Sequence, residues 1–427
     1  MTVAAQIGRA RTLLEKGDFL PILALVIAVQ GTVLISQSGA ALFLDPVAIG
    51  KIRLFESVIS IGVLVAGFGA PALAIREMAS RDNANRRGEV LRDLLILPIL
   101  GAAVLCIAAI VATLFGAGWI LPLRDVLLAS SVLLIAVNLV RMASAVAQGL
   151  VIVQQVYLWV IAGSIMAALL QISGAAFGTL PTWITGRLLG ELVLLGCMLM
   201  AMRAHFPAIR WRRSVDFPAL LRMMTQATII NLGLIVRMVA DAAPILLLGG
   251  VLVQVTRATT GIAIGHFGVA TLFLTAALLP LSVMSQRALP LITAAPSKMA
   301  IVSAFRRKIL VVGFVIAAVL SAVALSLRLL DDGRMDAGLV AAALLMIAVP
   351  MKAFASAIGT AMLAQGELKL PVWITSAELV TIILVFACSN AIDAIWTAVF
   401  SVIAGSAISM ASMIVANRIM NKRIYAN

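Results

Sequence analysis

Charged residues are scarce in this chain of 427 residues and make up only 12% of it. Soluble globular proteins carry about 25% charged and about 45–50% apolar residues, whereas 63% of this sequence is apolar. One soluble core could not bury so many apolar side chains. The shortage of charge therefore excludes a soluble enzyme, a disordered chain and a coiled coil, and it favours a protein that crosses a membrane many times.

Side chains that ligate metals are also few, with three cysteines and two histidines. Cys106, Cys197 and Cys388 lie far apart inside apolar runs, and neither His205 nor His266 has a cysteine at metal-ligand spacing. The sequence also lacks a glycine-rich loop followed by lysine that could hold a nucleotide phosphate. We therefore expect no metal, no cofactor and no ATP hydrolysis by the chain itself.

Long apolar runs account for most of the remaining sequence. A helix needs about 20 apolar residues to cross the hydrocarbon layer, and these runs lack the alternating polarity of barrel strands. The predicted spans are 19–43, 49–75, 94–115, 123–148, 156–177, 182–202, 219–248, 255–284, 304–327, 338–364, 371–389 and 394–417. The pattern predicts an all-α polytopic membrane protein with twelve transmembrane helices.

Basic residues are unevenly divided between the two sides of this predicted membrane. The net charge is +14, and basic clusters at 81–87, 210–213 and 306–308 share one side with the amino terminus. Basic residues of multi-pass proteins gather in cytoplasmic loops. We therefore expect a bacterial cytoplasmic (inner) membrane protein with both termini in the cytoplasm. The positive charge reflects topology, and no nucleic-acid partner is expected.

Short motifs recur in the two halves at almost the same separation. Ile-Ala-Val at 135–137 recurs at 347–349, and Ala-Ser-Ala at 143–145 recurs at 355–357. An even number of spans per repeat makes the two repeats parallel. The sequence thus predicts two parallel six-helix lobes. Their limits are 1–203 for the N-terminal lobe, 204–218 for a cytoplasmic basic linker and 219–427 for the C-terminal lobe.

Several loose motifs carry a family resemblance. Asp45-Pro46 with Gly50 leads into a long second span, which ends near Gly-Ala-Pro at 69–71, and Gln-Gly turns follow the fourth and tenth spans. This pattern resembles the polysaccharide-flippase branch of the multidrug/oligosaccharidyl-lipid/polysaccharide (MOP) exporter superfamily, over essentially the whole chain. The resemblance implies a central cavity lined mainly by spans 1, 2, 7 and 8.

The resemblance also implies a function and partners. The cargo would be a polyprenyl-diphosphate-linked oligosaccharide, such as an O-antigen or exopolysaccharide repeat unit, flipped across the membrane by alternating access. Membrane lipids would be further partners, together with a polymerase or glycosyltransferases of the same pathway. The protein would be a transporter and not an enzyme.

Ionisable residues inside the predicted spans are candidates for a functional site, because each costs several kcal/mol unless it is paired or hydrated. Some of them can pair within a lobe. Arg187 and Glu191 are four residues apart on one helix, and Arg141 lies at a depth near that of Glu191. Lys352 and Glu378 lie on neighbouring spans, although Lys352 also falls near mid-bilayer.

Most candidate substrate-binding residues lie on the spans that the resemblance places around the cavity, and Lys352 joins them because it falls near mid-bilayer. They are Gln30 on span 1, Arg53 and Glu56 on span 2, Arg237 and Asp241 on span 7, His266 on span 8 and Lys352 on span 10. Structural roles are also open: Arg237 and Asp241 can neutralise each other, Gln30 can bond a neighbouring helix, and His266 can be a packing residue.

Three functions fit these features. A flippase needs cations in its cavity, because guanidinium groups bind phosphate oxygens in pairs. A cation-coupled multidrug exporter of the same superfamily usually needs dominant carboxylates there. A membrane-bound glycosyltransferase or ligase would need an acidic loop, and Asp331, Asp332 and Asp336 are more typical of a solvated turn. The small surplus of basic residues inside the spans favours the flippase.

Overall fold

The computed structural model describes residues 19–79, 87–115, 124–149, 153–203, 217–251, 257–294, 298–331, 333–364, 367, 369–389 and 393–426. All regular secondary structure in these ranges is α-helical. The helices are α1 (Phe19–Phe43), α2 (Pro46–Gly67), α3 (Ala70–Ala79), α4 (Arg87–Phe115), α5 (Arg124–Gly149), α6 (Val153–Ala176), α7 (Leu180–Met202), α8 (Phe217–Val251), α9 (Arg257–Ala294), α10 (Lys298–Leu330), α11 (Asp336–Leu345), α12 (Ala348–Ala364), α13 (Lys369–Cys388) and α14 (Ala394–Ala426).

Each predicted span coincides with one helix or with two consecutive helices. Within the described ranges, nine helices are long and apolar enough to cross a membrane, and two further apolar helices, Gly31–Phe43 and Leu133–Gln148, are shorter. Large apolar side chains are widely exposed along them, as they are on helices that face lipid. The prediction of an all-α, multi-pass membrane protein is confirmed.

Two predicted spans are each broken into two helices, and a proline follows each break. The ring of a proline clashes with the carbonyl four residues earlier. For Pro71 that residue is Gly67, the last of α2, and for Pro350 it is Met346, just after α11. The first break passes through Phe68, at a φ of 45°, which costs energy in a residue with a side chain.

The chain forms two compact units. The N-terminal unit consists of Leu20–Leu44 and Lys51–Met238, and the C-terminal unit contains Asp45–Gly50 and Val239–Asn427. The linker predicted at 204–218 lies outside the described residues up to 216, and the predicted lobe limits stay a prediction.

Two buried apolar clusters lie among the described residues of the N-terminal unit. One joins α5, α6 and α7 through side chains such as Val140, Val160 and Leu194. The other joins α3, α4 and α5, and Leu73 and Leu94 belong to it. Burying a side chain of this size contributes roughly 1.5–3 kcal/mol, so these clusters fix the helices that carry the polar residues described below.

Helices α6 and α7 form a tight hairpin. Gly178, at a φ of +76°, makes the turn, and the Thr179 hydroxyl then caps α7 by accepting a bond from the Thr182 amide. A Cβ on Gly190 would lie 3.1 Å from the Cα of Ala167, so the glycine permits close packing of the two helices. This packing fixes the rotation of α7 and hence the direction of its one buried face.

The C-terminal unit has one large core, built mainly from α9, α10, α11, α12 and α14, and Phe267, Leu281 and Val349 are among its buried members. The motif at Asp45-Pro46 begins α2 against this unit. The Asp45 carboxylate accepts a bond of 2.6 Å from the Ala48 amide, which is a helix cap. A Cβ on Gly50 would lie 2.8 Å from the amide nitrogen of Gly265, so the glycine allows α2 to cross α9 closely.

Candidate functional site

In the described part of the chain, two clusters of ion pairs lie inside the predicted spans, one in each unit. The N-terminal cluster consists of Glu56, Arg187 and Glu191. The C-terminal cluster consists of Asp241, Lys352 and Glu378. Each places one basic side chain between two carboxylates.

The N-terminal cluster is almost entirely shielded from solvent. Arg187 Nε donates to Glu56 Oε1 at 2.9 Å, and Arg187 Nη1 donates to Glu191 Oε1. The side chains of Arg187, Glu56 and Glu191 are only 4%, 9% and 8% exposed. The predicted pairing of Arg187 with Glu191 is confirmed, and Glu56 joins it from α2. A buried charge is tolerated only when partners of this kind compensate for lost water.

Buried polar atoms without a partner among the described residues lie on α6 and α7. Trp183, one turn before Arg187, is fully buried against Phe55 with ring centroids 5.8 Å apart. Its Nε1 has no hydrogen-bond partner in the described part of the chain, and neither polar atom of buried Gln171 has one. Unsatisfied buried polar atoms usually mark a site for water or another small polar ligand. The interior of this unit is therefore polar as well as charged.

The C-terminal cluster is more open. Lys352 Nζ donates to Asp241 Oδ1 at 2.8 Å and to Glu378 Oε1 at 3.0 Å. The side chains of Lys352 and Glu378 are 12% and 11% exposed, whereas that of Asp241 is 41% exposed. The predicted pairing of Lys352 with Glu378 is confirmed. Asp241 is the carboxylate of this cluster that a solute can reach.

The remaining candidates do not belong to the ion pairs of the two clusters. Arg53 donates to the Gln37 side chain, and Gln37 Nε2 has no partner among the described residues. Arg237 is exposed, and no described carboxylate forms an ion pair with it. His266 is half-buried beside Gly338, and its Nδ1 has no described partner. The side chain of Gln30 lies outside the described residues.

The break between α2 and α3 exposes backbone groups that need partners. The Phe68 amide bonds back to the Val65 carbonyl at 3.3 Å, which leaves the Leu64 carbonyl without its usual helical donor. Asn231 Nδ2 of α8 donates to that carbonyl at 2.6 Å, and Asn231 is buried. Asn231 therefore stabilises the break, a role that no sequence pattern indicates.

The acidic loop between α10 and α11 forms local contacts. Asp336 pairs with Arg328, and both side chains are nearly half exposed. Asp331 Oδ2 accepts a bond of 2.7 Å from the Met335 amide. Asp332 lies outside the described residues. The interpretation of this loop as a solvated turn accounts for both described aspartates.

The chain is similar to solved structures of membrane transporters. One is an inward-facing conformation of a multidrug resistance MATE family transporter of the MOP superfamily, with a TM-score of 0.72 at 14% identity, covering 95% of this chain and 98% of that one. A second is a MOP superfamily transporter from Pyrococcus furiosus Vc1, for which a reverse polarity of the binding pocket suggests a different function. It gives a TM-score of 0.64 at 16% identity and covers 96% and 94% of the two chains.

A third structure is the MATE multidrug transporter DinF-BH in complex with rhodamine 6G, with a TM-score of 0.62 at 15% identity, covering 93% of this chain and 92% of that one. No protein-family model matches the chain, and no curated protein matches it either. At identities this low the likeness concerns the fold. The chain has the two-lobed, twelve-span fold of these MOP superfamily transporters.

Proposed function

We propose that this protein is a membrane transporter that exports amphipathic cations by exchange at Asp241. The observation that carries the proposal is the likeness to multidrug transporters over nearly the whole length of both chains. The same comparisons support this exporter more than they support the polysaccharide flippase that the sequence motifs favour.

The C-terminal cluster supplies chemistry for such an exchange. Lys352 forms ion pairs with two carboxylates, Asp241 and Glu378. Asp241 is the more exposed of the two, so a second cation can compete with Lys352 for it. A cationic solute or a proton that binds Asp241 displaces Lys352, which stays neutralised by Glu378 at 3.0 Å. The ligand thus changes the pairing inside the unit, and a ligand can shift a conformational equilibrium only through such a difference in interactions.

An export assay with paired variants tests this proposal. Cells that lack their own drug exporters would be loaded with a cationic dye such as rhodamine 6G, and efflux would be recorded. Asp241→Asn should reduce efflux to the background, because an amide does not attract a cation. Asp336→Asn is the matched control, since it also removes a partly exposed aspartate from an ion pair, and it should export normally. Normal efflux by Asp241→Asn would refute the exchange.

A second candidate is the flippase for a polyprenyl-diphosphate-linked oligosaccharide, and Arg237 favours it. Arg187 and Lys352 are each held by two carboxylates, whereas exposed Arg237 has no described acidic partner. A free guanidinium suits a diphosphate, which it can bind through two parallel hydrogen bonds.

Substitution of Arg237 separates the two candidates. In a flippase, Arg237→Ala should cause undecaprenyl-linked glycan to accumulate on the inner leaflet, and Arg237→Lys should restore export only in part. In a cation exporter, Arg237→Ala should leave dye efflux unchanged. Unchanged glycan export by Arg237→Ala would remove this residue from any flippase mechanism.

A further inference from the structure

One helix of the C-terminal unit carries a basic cluster without counter-charges. Arg306, Arg307 and Lys308 are consecutive in α10. Arg307 and Lys308 are exposed, Arg306 is partly buried, and no described carboxylate pairs with any of the three. By contrast, the basic side chains of Arg187 and Lys352, which lie inside the predicted spans, form ion pairs with carboxylates.

Apolar side chains continue the same face of α10. Val311, Phe314, Val315 and Val319 are 56%, 60%, 56% and 55% exposed, and they follow Arg307 and Lys308 at helical spacings of three and four residues. The opposite face is buried, with Ile309 and Ala324 fully covered. One face of the helix therefore presents two cations and then a continuous apolar stripe.

The length of α10 places the basic cluster at the boundary of the membrane. From Ile309 to Leu327, the last residue before Arg328, the helix has 19 residues without a charge, which at 1.5 Å per residue extend about 29 Å. The hydrocarbon layer is about 30 Å thick. A lipid-facing stripe of this length brings Arg307 and Lys308 to the level of the phosphate groups, on the side that the charge bias assigns to the cytoplasm.

We infer that α10 binds one anionic phospholipid of the inner leaflet. The phosphate and the acidic headgroup contact Arg306, Arg307 and Lys308, and the acyl chains lie along Val311 to Val319. Charge selects the lipid, because basic residues near the membrane surface attract anionic lipids, and the apolar stripe offers the chains a continuous surface. This site differs from both ion clusters, and no cargo needs to occupy it.

Photolabelling of the unaltered protein tests the inference first. The purified protein would be reconstituted in nanodiscs with photoactivatable phosphatidylglycerol or phosphatidylcholine, and the labelled peptides would be identified by mass spectrometry. We expect phosphatidylglycerol to label residues 307–319 about tenfold more than phosphatidylcholine does, and to lose that preference at high salt. Equal labelling by the two lipids, or labelling by phosphatidylglycerol only elsewhere, would overturn the inference.

A charge-matched pair of variants locates the effect. Arg306→Gln, Arg307→Gln and Lys308→Gln together should lower the labelling by phosphatidylglycerol about tenfold. The control combines Arg210→Gln, Arg212→Gln and Arg213→Gln, which remove the same charge from another basic cluster of the sequence and should leave the labelling unchanged. An equal loss in the control would mean that net charge, and not this site, attracts the lipid.

Discussion

Removing Arg187 should destabilise the N-terminal unit more than the loss of any exposed ion pair. Its side chain is 4% exposed, and those of Glu56 and Glu191 are 9% and 8% exposed, so water cannot replace the guanidinium. Breaking a buried ion pair by deleting one partner costs about 3–5 kcal/mol. For a unit of this size, each kcal/mol lowers the melting temperature by about 2–4 °C. Arg187→Ala should therefore melt on the order of 10 °C earlier.

The assay is thermal unfolding of the purified protein with a thiol-reactive fluorogenic dye. Cys197 lies on α7, six residues after Glu191, and reports the opening of the N-terminal unit, while exposed Cys388 would be replaced by serine. Loss of helical circular dichroism, recorded in parallel, reports the unfolding of both units. Arg328→Ala is the control, because its pair with Asp336 is 45% and 47% exposed and is worth at most about 1 kcal/mol. Equal melting of the two variants would refute the argument from burial.

The remaining predictions concern packing, the helix break and topology. In the same unfolding assay, Gly265→Ala should destabilise the protein, because a Cβ there meets the backbone of Pro46. Gly196→Ala is the control, since the glycine has open space around it, and this variant should be neutral or stabilising by up to about 1 kcal/mol. Asn231→Leu should cost about 1–3 kcal/mol by leaving the Leu64 carbonyl unsatisfied, and Asn231→Asp should not rescue it, since a carboxylate cannot donate. A cysteine placed at the last residue of a cysteine-free variant should react with membrane-impermeant reagents only from the cytoplasmic side.

The sequence was sufficient to predict the helices, because crossing a bilayer requires a length and an apolarity that are visible in a single run of residues. The two breaks were not predictable, since Pro98, Pro244 and Pro280 stand in apolar runs similar to those of Pro71 and Pro350 and yet lie inside unbroken helices. Pairing within a helix, by contrast, was predictable: Arg187 and Glu191 are four residues apart, and they are bonded.

Contacts between helices could not be predicted with the same certainty. Glu56 is 131 residues from Arg187, and Lys352 is 111 residues from Asp241. No periodicity connects such positions, and each side chain had other plausible partners. The role of Asn231 depends on a carbonyl that only the break in α2 sets free. The cavity expected around Gln30, Arg53, Glu56, Arg237, Asp241, His266 and Lys352 stays a prediction.

Reconstituted transport tests most directly whether the protein transports an amphipathic cation. The purified protein would be placed in liposomes, an inward-directed or outward-directed proton gradient would be imposed, and the movement of rhodamine 6G would be followed by fluorescence. We expect movement against the dye gradient that depends on the proton gradient and disappears in Asp241→Asn. Dye movement equal to that of protein-free liposomes under both gradients would contradict it.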